Sequence, residues 1–266
     1  KAVITKGENR LLDDYDQIFR DLGNQQYNDE TMFEYGWYST NGQDVRTGYT
    51  NGIPTSGTDN EGLGKGGSQM IAMPTFYFEF EEDDQRRDVS VCNYGLKLST
   101  GNNAYQMNTF AGMGVGKYRI NWKKVRGSSD SKRDFNWPVL RYSDVLLMYA
   151  EAVVMGGKAT ANITPLEAIN KVRDRVGVPH VTEANMRTIE DERILELTYE
   201  GSRFFDLLRW GKVVERFREL ENTDPLFKRF SRAQYMGFKE NKNEWVPLPI
   251  DEVEGNPYIT KNNPGW

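Results

Sequence analysis

The pattern of apolar residues changes at Pro138. Beyond this residue, apolar positions recur three and four residues apart, a spacing typical of one side of a helix. The spacing predicts helices over 141–155, 165–176 and 189–208. The positions expected to face inward are Val145, Met148, Tyr149 and Ala152 in the first helix, Leu166, Ile169, Val172 and Val176 in the second, and Ile194, Leu197, Gly201, Phe204 or Phe205, and Leu208 in the third.

Local signals mark the ends of these helices. Asn162 and Thr164 can cap the second helix, and Pro165 suits its first turn. The connection from the first helix is short, which predicts a helical hairpin. Gly201 lowers helix propensity by about 1 kcal/mol relative to alanine, so we expect a kink or close packing at this point of the third helix. The proline-rich tail after Glu244 predicts extended chain.

The first 137 residues are less regular. DDYDQIFRDLG has apolar residues at helical spacing, and ETMFEYGWYS is typical of a strand. Residues 41–68 are rich in Gly, Asn, Thr and Ser and predict a long loop, which we expect to be more mobile than the helices. FYFEF, RDVSV and KYRINW predict short strands. The expected fold class is therefore mostly α: an irregular, loop-rich region with short strands over 1–137 and a helical region with an extended tail over 138–266, within one structural unit.

Composition indicates a folded core and narrows the function. The 266 residues are 38% hydrophobic and include 13 Phe, 14 Tyr and 6 Trp, too many rings for a disordered chain. A net charge of −5 with both signs interspersed disfavours nucleic-acid binding, and no apolar run is long enough to span a membrane. The single cysteine, Cys92, excludes an internal disulfide, and the single histidine, His180, leaves no zinc cluster. We interpret His180 as a loop residue.

Two glycine-rich motifs do not predict nucleotide binding. GLGKGG over 62–67 has the spacing of a dinucleotide loop, but it follows no strand and opens no helix. AGMGVGKY over 111–118 lacks both the first glycine of a phosphate loop and the hydroxyl that binds its metal.

The acidic run 79–84 has two other interpretations besides a solvated edge. Its carboxylates could form the pair that glycoside hydrolysis needs; they are Glu79, Glu81, Glu82, Asp83 and Asp84. Calcium could bind a set of carboxylates from this run and the preceding loop, although the spacing is not that of an EF-hand; this set is Asp59, Glu61, Asp83 and Asp84. No cofactor is predicted.

Aromatic residues in or beside polar loops are the best candidates for ligand contacts. Flat rings offer contact area at a small entropic cost, and they suit the apolar C–H faces of sugars. The candidate stacking residues are Trp37, Tyr38, Tyr49, Tyr105 and Trp122, and the hydrogen-bonding neighbours are Asn102, Asn103, Asn108 and Arg119. The competing interpretation is that each ring fills a gap beneath a loop.

Several stretches of the second half carry a family resemblance. They are WPVLRYSDVLLMYAEA (137–152), EAINKVRDRVGV (167–178), IEDERILELTYEGSRFFDLLRWG (189–211), and VPLPIDEVEGNP with the terminal NNPGW (246–266). In this order and spacing the chain resembles the SusD/RagB family, the surface glycan-binding lipoproteins of Bacteroidetes-type outer membranes. FEFEEDDQRRDVSV and GKYR resemble, more loosely, the family's D-x-R segment and the strand before its helices.

The resemblance implies a fold, a function and a partner. The fold is a SusD-like superhelix of TPR-like hairpins, and the function is non-enzymatic binding of glycans or oligosaccharides for uptake through a SusC-like TonB-dependent transporter. The implied location is the cell surface of the outer membrane, with lipid anchoring. Charged groups on packed helices usually pair with one another, so the well-matched charged residues are expected to be architectural: Arg141, Glu151, Arg193, Glu200, Arg203 and Asp206.

Family members are usually nearly twice as long and begin with a signal peptide and a lipid-bearing cysteine. We therefore expect this chain to be the C-terminal part of a longer protein that contacts the membrane only through an anchor outside this chain. Two other functions stay open. One is a structural TPR-like interaction module of a nutrient-uptake complex, with a peptide or other nutrient as ligand, and the other is a glycosidase that uses the acidic run.

Overall fold

The computed structural model describes residues 2–20, 27–37, 55–56, 70, 72–97, 103–106, 113–119, 122, 135–223 and 238–266. The chain divides into two compact units, Lys1–Gly201 and Ser202–Trp266. The sequence analysis divides the chain into regions 1–137 and 138–266, on a change in the pattern of apolar residues. This boundary lies within the first unit, and the division stays a prediction. The expected loop over 41–68 lies outside the described residues except at Thr55 and Ser56, so its mobility also stays a prediction.

Helices are the main regular structure of the described residues, and the strands are short and form small sheets, which confirms the predicted mostly α class with loop-rich regions. In the first unit the helices are α1 (Ala2–Lys6), α2 (Pro74–Tyr77), α3 (Gln85–Ser90), α4 (Tyr142–Val154), α5 (Pro165–Arg175) and α6 (Met186–Leu197), with a 3-10 turn at Tyr15–Ile18. In the second unit they are α7 (Arg203–Arg209), α8 (Val213–Thr223) and α9 (Ile250–Gly255). Within the described part of the chain, every helix is too short or too polar to cross a membrane.

The strands that the structure describes form three small sheets in the first unit. In chain order they are β1 (Thr31–Trp37), β2 (Thr55–Ser56), β3 (Val91–Cys92), β4 (Tyr94–Lys97), β5 (Asn103–Gln106), β6 (Gly114–Val115) and β7 (Phe135–Arg141). β1 pairs antiparallel with β7, placing Trp37 opposite Phe135 and Thr31 opposite Arg141. β4 lies between β2 and β5, and β3 pairs with β6. Because β7 runs directly into α4, its end position, Arg141, lies where strand and helix meet.

The predicted helical hairpin is confirmed, including its cap. Thr164 Oγ1 accepts from the Glu167 amide at 3.1 Å, and the Glu167 carboxylate accepts from the Thr164 amide at 2.6 Å. This reciprocal pair is a capping box, which satisfies two amides at the start of α5. α4, α5 and the beginning of α6 enclose the hairpin core, which consists of Tyr142, Leu146, Leu147, Ala150, Ala168, Ile169, Val172 and Ile189.

The face predicted for α4 is wrong by about one position. Met148 and Ala152 are exposed, and Val145 and Tyr149 are only half-buried. Leu146, Leu147 and Ala150 are fully buried instead. The segment VLLMYAEAVV is apolar almost all round, so periodicity alone does not select the face that packs. The face predicted for α5 is confirmed at Ile169, Val172 and Val176, whereas Leu166 is half-buried.

The third predicted helix is two helices. α6 begins earlier than expected, at Met186, because the Asn185 side chain caps it by accepting from the Thr188 amide at 3.0 Å. It ends at Leu197, and α7 begins at Arg203. Between them Tyr199 and Gly201 have positive φ angles of 61° and 94°, so the expected break at Gly201 is a full interruption. A Cβ at Gly201 would meet nothing within 4 Å, so its conformation rather than close packing favours glycine.

Two of the predicted strands are wrong at most of their positions, and part of the tail is helical. FYFEF begins inside α2, which Pro74 opens at its first position, and its last three residues follow the end of that helix in a turn. Most of RDVSV lies in α3, where the Asp84 carboxylate caps the helix by accepting from the Arg86 amide at 2.9 Å. The tail forms α9 over Ile250–Gly255, with acidic residues in its first turn. In each case a local start signal outweighs a pattern typical of extended chain.

The remaining sequence patterns of the first half have mixed outcomes. ETMFEYGWYS contains β1 and is confirmed as a strand over Thr31–Trp37. Within DDYDQIFRDLG, Tyr15–Ile18 form a 3-10 turn, and Tyr15, Ile18 and Phe19 are buried, while the last three residues of the segment lie outside the described residues. The strand predicted over KYRINW is wrong for Lys117 and Tyr118, which form a turn directly after β6. Both side chains are buried, because this turn enters the core of the first unit.

Candidate functional site

Charged side chains fill the space between α6, α5, β7 and α3. The group, called here the charged core, consists of Glu30, Asp84, Arg86, Lys117, Arg141, Arg175, Glu192, Glu196 and Glu200. Their side chains are between 0% and 6% exposed. Charges this deep are stable only when each is paired and hydrogen-bonded.

Glu196 lies at the centre of the charged core. Its carboxylate accepts from Arg141 at 3.0 Å and from Arg86 at 3.4 Å, and it also contacts Arg175. Its backbone carbonyl accepts from the Tyr15 hydroxyl at 2.6 Å. Burial by itself raises the pKa of a carboxyl group, but the three guanidinium groups outweigh burial and hold the pKa of Glu196 below its usual value. Glu196 is therefore an ionised anchor at the core of the first unit.

Arg141 joins the end of β7 to the rest of the network. Its guanidinium donates to Glu30 at 2.6 Å and to both carboxylate oxygens of Glu200 at 2.7 and 2.8 Å. Arg86 makes a similar junction for α3, with Asp84 at 2.7 Å and a contact to Glu192. Asp84 and Arg86 are the D-x-R pair of the family resemblance. The architectural interpretation of Arg141 and Glu200 agrees with this geometry.

Lys117 is the one amine in the charged core. Its Nζ lies 2.6 Å from Glu200 and 3.2 Å from the Glu196 carbonyl oxygen, close to the rings of Tyr15 and Phe19. Burial lowers the pKa of Lys117 to about 8, against the opposing charge of Glu200. The lysine is enclosed by protein, so it holds structure rather than facing a ligand.

The acidic run offers little for glycoside hydrolysis. Asp84 is buried and engaged by Arg86, and Glu81 forms an ion pair with Arg173 at 2.7 Å. Glu79, Glu82 and Asp83 are exposed. Of the four carboxylates considered for calcium, Asp59 and Glu61 lie outside the described residues. In the ranges that the structure describes, no group of three or more His, Cys, Asp and Glu side chains could hold a metal ion.

Some of the predicted ligand residues can be placed and others cannot. Tyr38, Tyr49, Asn102 and Asn108 lie outside the described residues. Trp37, Asn103 and Tyr105 are placed by backbone only: Trp37 ends β1, whereas Asn103 and Tyr105 pair across from Lys97 and Gly95 in a different sheet.

Arg119 and Trp122 are in contact. The Arg119 guanidinium lies 4.4 Å from the centre of the Trp122 ring, and that of Arg20 lies 4.9 Å from the same ring. Arg119 is 6% exposed and also donates to the Asp88 carbonyl. Trp122 is half-buried and packs against the apolar cluster around Phe19 and Tyr118. Two cations therefore already occupy ring surface that a sugar would need.

A cavity of about 670 Å³ opens beside this cluster, within the usual size range of small-molecule sites. The 3-10 turn forms one wall and α3 the other; the lining residues are Asp14, Tyr15, Asp16, Gln17, Arg20, Gln85 and Val89. Arg20 belongs to both the cavity and the Trp122 cluster. The sequence analysis did not predict these residues to contact a ligand. The available signal was that polar residues of DDYDQIFRDLG lie between its buried Tyr15 and Ile18.

Comparison with known proteins gives a consistent assignment. The model of the SusD family matches residues 16–266 of the chain. Among curated proteins, SusD-like protein P2 of Formosa agariphila is 24% identical over 222 residues, which are 76% of this chain and 41% of that protein. SusD-like protein P38 of the same organism is 36% identical over 100 residues, 33% of this chain and 19% of that protein.

Solved structures agree over almost the whole chain. A SusD homologue from Bacteroides thetaiotaomicron matches with a TM-score of 0.76 and 26% identity, covering 98% of this chain and 56% of that one. A laminarin-binding SusD-like protein matches with a TM-score of 0.71 and 25% identity, covering 97% and 54%. The chain thus has a SusD-like fold and spans about half the length of these structures.

Proposed function

The chain belongs to the SusD family, and on this premise we propose that it binds glycans at the cell surface without catalysing a reaction on them. The observation that carries the proposal is the likeness, at 25% identity over 97% of this chain, to a protein described as laminarin-binding. Engagement of Asp84 and Glu81 in ion pairs weakens the glycosidase alternative. The proposed setting is a surface-exposed lipoprotein of the outer membrane that hands glycan to a SusC-like TonB-dependent transporter.

Within this proposal, ligand contacts come from aromatic residues of the first unit and their polar neighbours. The proposed stacking residues are Trp37, Tyr38, Tyr49, Tyr105 and Trp122, with Asn102, Asn103, Asn108 and Arg119 as hydrogen-bonding neighbours. Trp37 and Tyr105 are the sharper candidates, because the Trp122 ring already lies beneath two guanidinium groups.

Affinity electrophoresis against a panel of soluble polysaccharides, including laminarin, tests the proposal. We expect at least one polysaccharide to retard the protein. Trp37→Ala and Tyr105→Ala should each weaken binding roughly 5- to 150-fold, the size of a loss of about 1–3 kcal/mol for a stacked ring by analogy with bases. Trp245→Ala is the matched control, since Trp245 is an exposed tryptophan in the second unit.

Three outcomes separate the alternatives. Retardation that is lost in Trp37→Ala or Tyr105→Ala and kept in Trp245→Ala supports the proposed site. Retardation that survives both Trp37→Ala and Tyr105→Ala means that the ligand lies elsewhere on the molecule. Absence of retardation by any polysaccharide contradicts glycan binding and favours the structural interaction module or a peptide ligand.

A further inference from the structure

The cavity between the 3-10 turn and α3 has polar walls and an apolar floor. Gln85 and Val89 are four residues apart and therefore share one face of α3. The facing wall carries the side chains of the 3-10 turn and its flanks. Tyr15 and Val89 are buried and supply the apolar part of the surface. A ring with hydroxyl groups at its edge and C–H groups on its face matches such a lining.

The polar side chains that line the cavity differ in how many hydrogen bonds they already make within the protein. Asp16 is paired with Arg20, whose Nε and Nη2 lie 2.6 and 2.5 Å from Asp16 Oδ2. Asp14 accepts one bond, from the Gln17 amide at 2.6 Å. Among the described residues, the Gln85 side-chain amide has no hydrogen-bond partner, and it is exposed to the cavity. Asp14 and Gln85 are therefore the groups that retain capacity for a ligand.

The charges of the lining point to the kind of ligand. Two carboxylates and one guanidinium line the cavity, and since Arg20 is neutralised by Asp16, the charge of Asp14 is left over. A sugar hydroxyl both donates and accepts, so it can donate to Asp14 and accept from Gln85. A carboxylate or sulfate only accepts, so it has no proton to give Asp14 and is repelled by it.

We propose that this cavity is a subsite for one uncharged sugar residue of the glycan, and that Asp14 makes it discriminate against uronate and sulfated residues. The inference rests on the proposed function, of which it narrows the substrate class. Arg20 positions the wall of the subsite, because its guanidinium is held between Asp16 and the ring of Trp122.

The test is a titration of the protein with two probes, laminarihexaose and the same hexaose oxidised at C6 to glucuronate residues. We expect the neutral probe to bind more tightly. Gln85→Ala should weaken binding of the neutral probe about two- to tenfold, the loss of one neutral hydrogen bond. Asp14→Asn should reduce the ratio of the affinity for the neutral probe to that for the oxidised probe about fourfold, the effect of one exposed charge at about 5 Å in water. Added salt should reduce the same ratio in the wild type, because it screens the charge of Asp14.

Asp83→Asn is the matched control. It removes the same charge from an exposed side chain near α3 that does not line the cavity, so it should leave the ratio close to that of the wild type. Thermal melts followed by circular dichroism check that the variants are folded. As a readout that needs no variant, laminarihexaose should protect residues 14–20 of the wild type from hydroxyl-radical labelling.

The failures of the two proposals are distinguishable. If the wild type binds laminarihexaose and both Gln85→Ala and Asp14→Asn bind the two probes as the wild type does, the subsite is overturned and the proposed function stands. Tighter binding of the oxidised probe by the wild type also overturns the subsite. If no polysaccharide of the panel retards the wild type, the proposed function fails and the subsite fails with it.

Discussion

Two of the buried clusters of the first unit, the hairpin core and the charged core, have opposite chemistry and share α6. The hairpin core between α4 and α5 is apolar, and its members are 9% exposed or less. The charged core around Glu196 is equally buried but consists of carboxylates, guanidinium groups and one amine. α6 contributes to both, with Ile189 to the first and Glu192 and Glu196 to the second. Burial in this protein therefore does not separate apolar from charged residues.

The difference between the cores lies in how each tolerates loss of a side chain. Removing a methyl group from an apolar core leaves a cavity, and the energy lost depends on how far the neighbours relax. Removing one partner from a buried ion network leaves the other charges unpaired in a medium that solvates them poorly. The charged core should therefore be the more sensitive of the two, although it need not stabilise the fold more than an apolar core of equal volume.

The largest effect is expected from Glu196→Ala. The substitution removes one of the two carboxylates, Glu196 and Glu30, that Arg141 and Arg175 share, and we expect the free energy of unfolding to fall by about 3–5 kcal/mol. Urea denaturation of the variant and the wild type measures the difference. Glu183→Ala, at an exposed position, is the control and should change the free energy by less than about 0.5 kcal/mol. A loss below about 1 kcal/mol for Glu196→Ala would mean that the network is not closed as described.

Leu147→Ala tests the hairpin core. Leu147 is fully buried, so the cavity should lower the free energy of unfolding by about 2–5 kcal/mol. Met148, the next residue, is 41% exposed, and Met148→Ala should be clearly milder. Equal effects of the two substitutions would contradict the orientation of α4. Leu208, which the sequence pattern predicted to face inward, is half-buried, whereas Leu207 is buried.

The smallest effect concerns the pH dependence contributed by Lys117. Its pKa is about 8 in the folded protein and 10.5 in its ordinary state, so between these values the unfolded chain binds more protons. The free energy of unfolding should therefore rise with pH, by about 2 kcal/mol from pH 8 to pH 10. Well below pH 8 the lysine is protonated in both the folded and the unfolded chain, and the cost of burying its charge then lowers the free energy of unfolding in full.

Urea denaturation at pH 8, 9 and 10 measures this rise. Lys117→Met is the comparison, because it removes the titrating amine and keeps an apolar stem of similar length. The variant should show a flatter profile over this range. Parallel profiles for the wild type and the variant would mean that the amine does not titrate there.

Parts of this molecule follow from short stretches of sequence. The cap at Thr164 and the start of α5 at Pro165 depend on residues a few positions apart and were predicted. The reciprocal bond from Glu167 was not predicted, and at Gly201 a kink or close packing was expected where the helix is fully interrupted. The family motifs likewise indicated the fold. The helix start signals at Pro74 and Asp84 also depend only on neighbouring residues. The aromatic and β-branched residues beside them nevertheless favoured strands, and the prediction of strands there was wrong.

The candidate site was less accessible to prediction than the fold. The contact of Arg119 with Trp122 agrees with their grouping in the sequence analysis, but the presence of Arg20 over the same ring depends on a segment about one hundred positions earlier in the chain. The cavity joins residues 14–20 to Gln85 and Val89 in the same way. The periodicity of the sequence does not predict that these two segments come together, since each wall of the cavity is an ordinary polar surface by itself.

The sequence by itself determined where α4 and α5 form and which family the chain resembles, because capping, periodicity and motif order are properties of neighbouring residues. Only the tertiary structure decided that Arg141 meets Glu30, Glu196 and Glu200, and that α6 is buried along a charged as well as an apolar side. The physical reason is that any local sequence pattern predicts a charged residue to be exposed. It becomes a buried one only when distant segments bring the opposite charge to it.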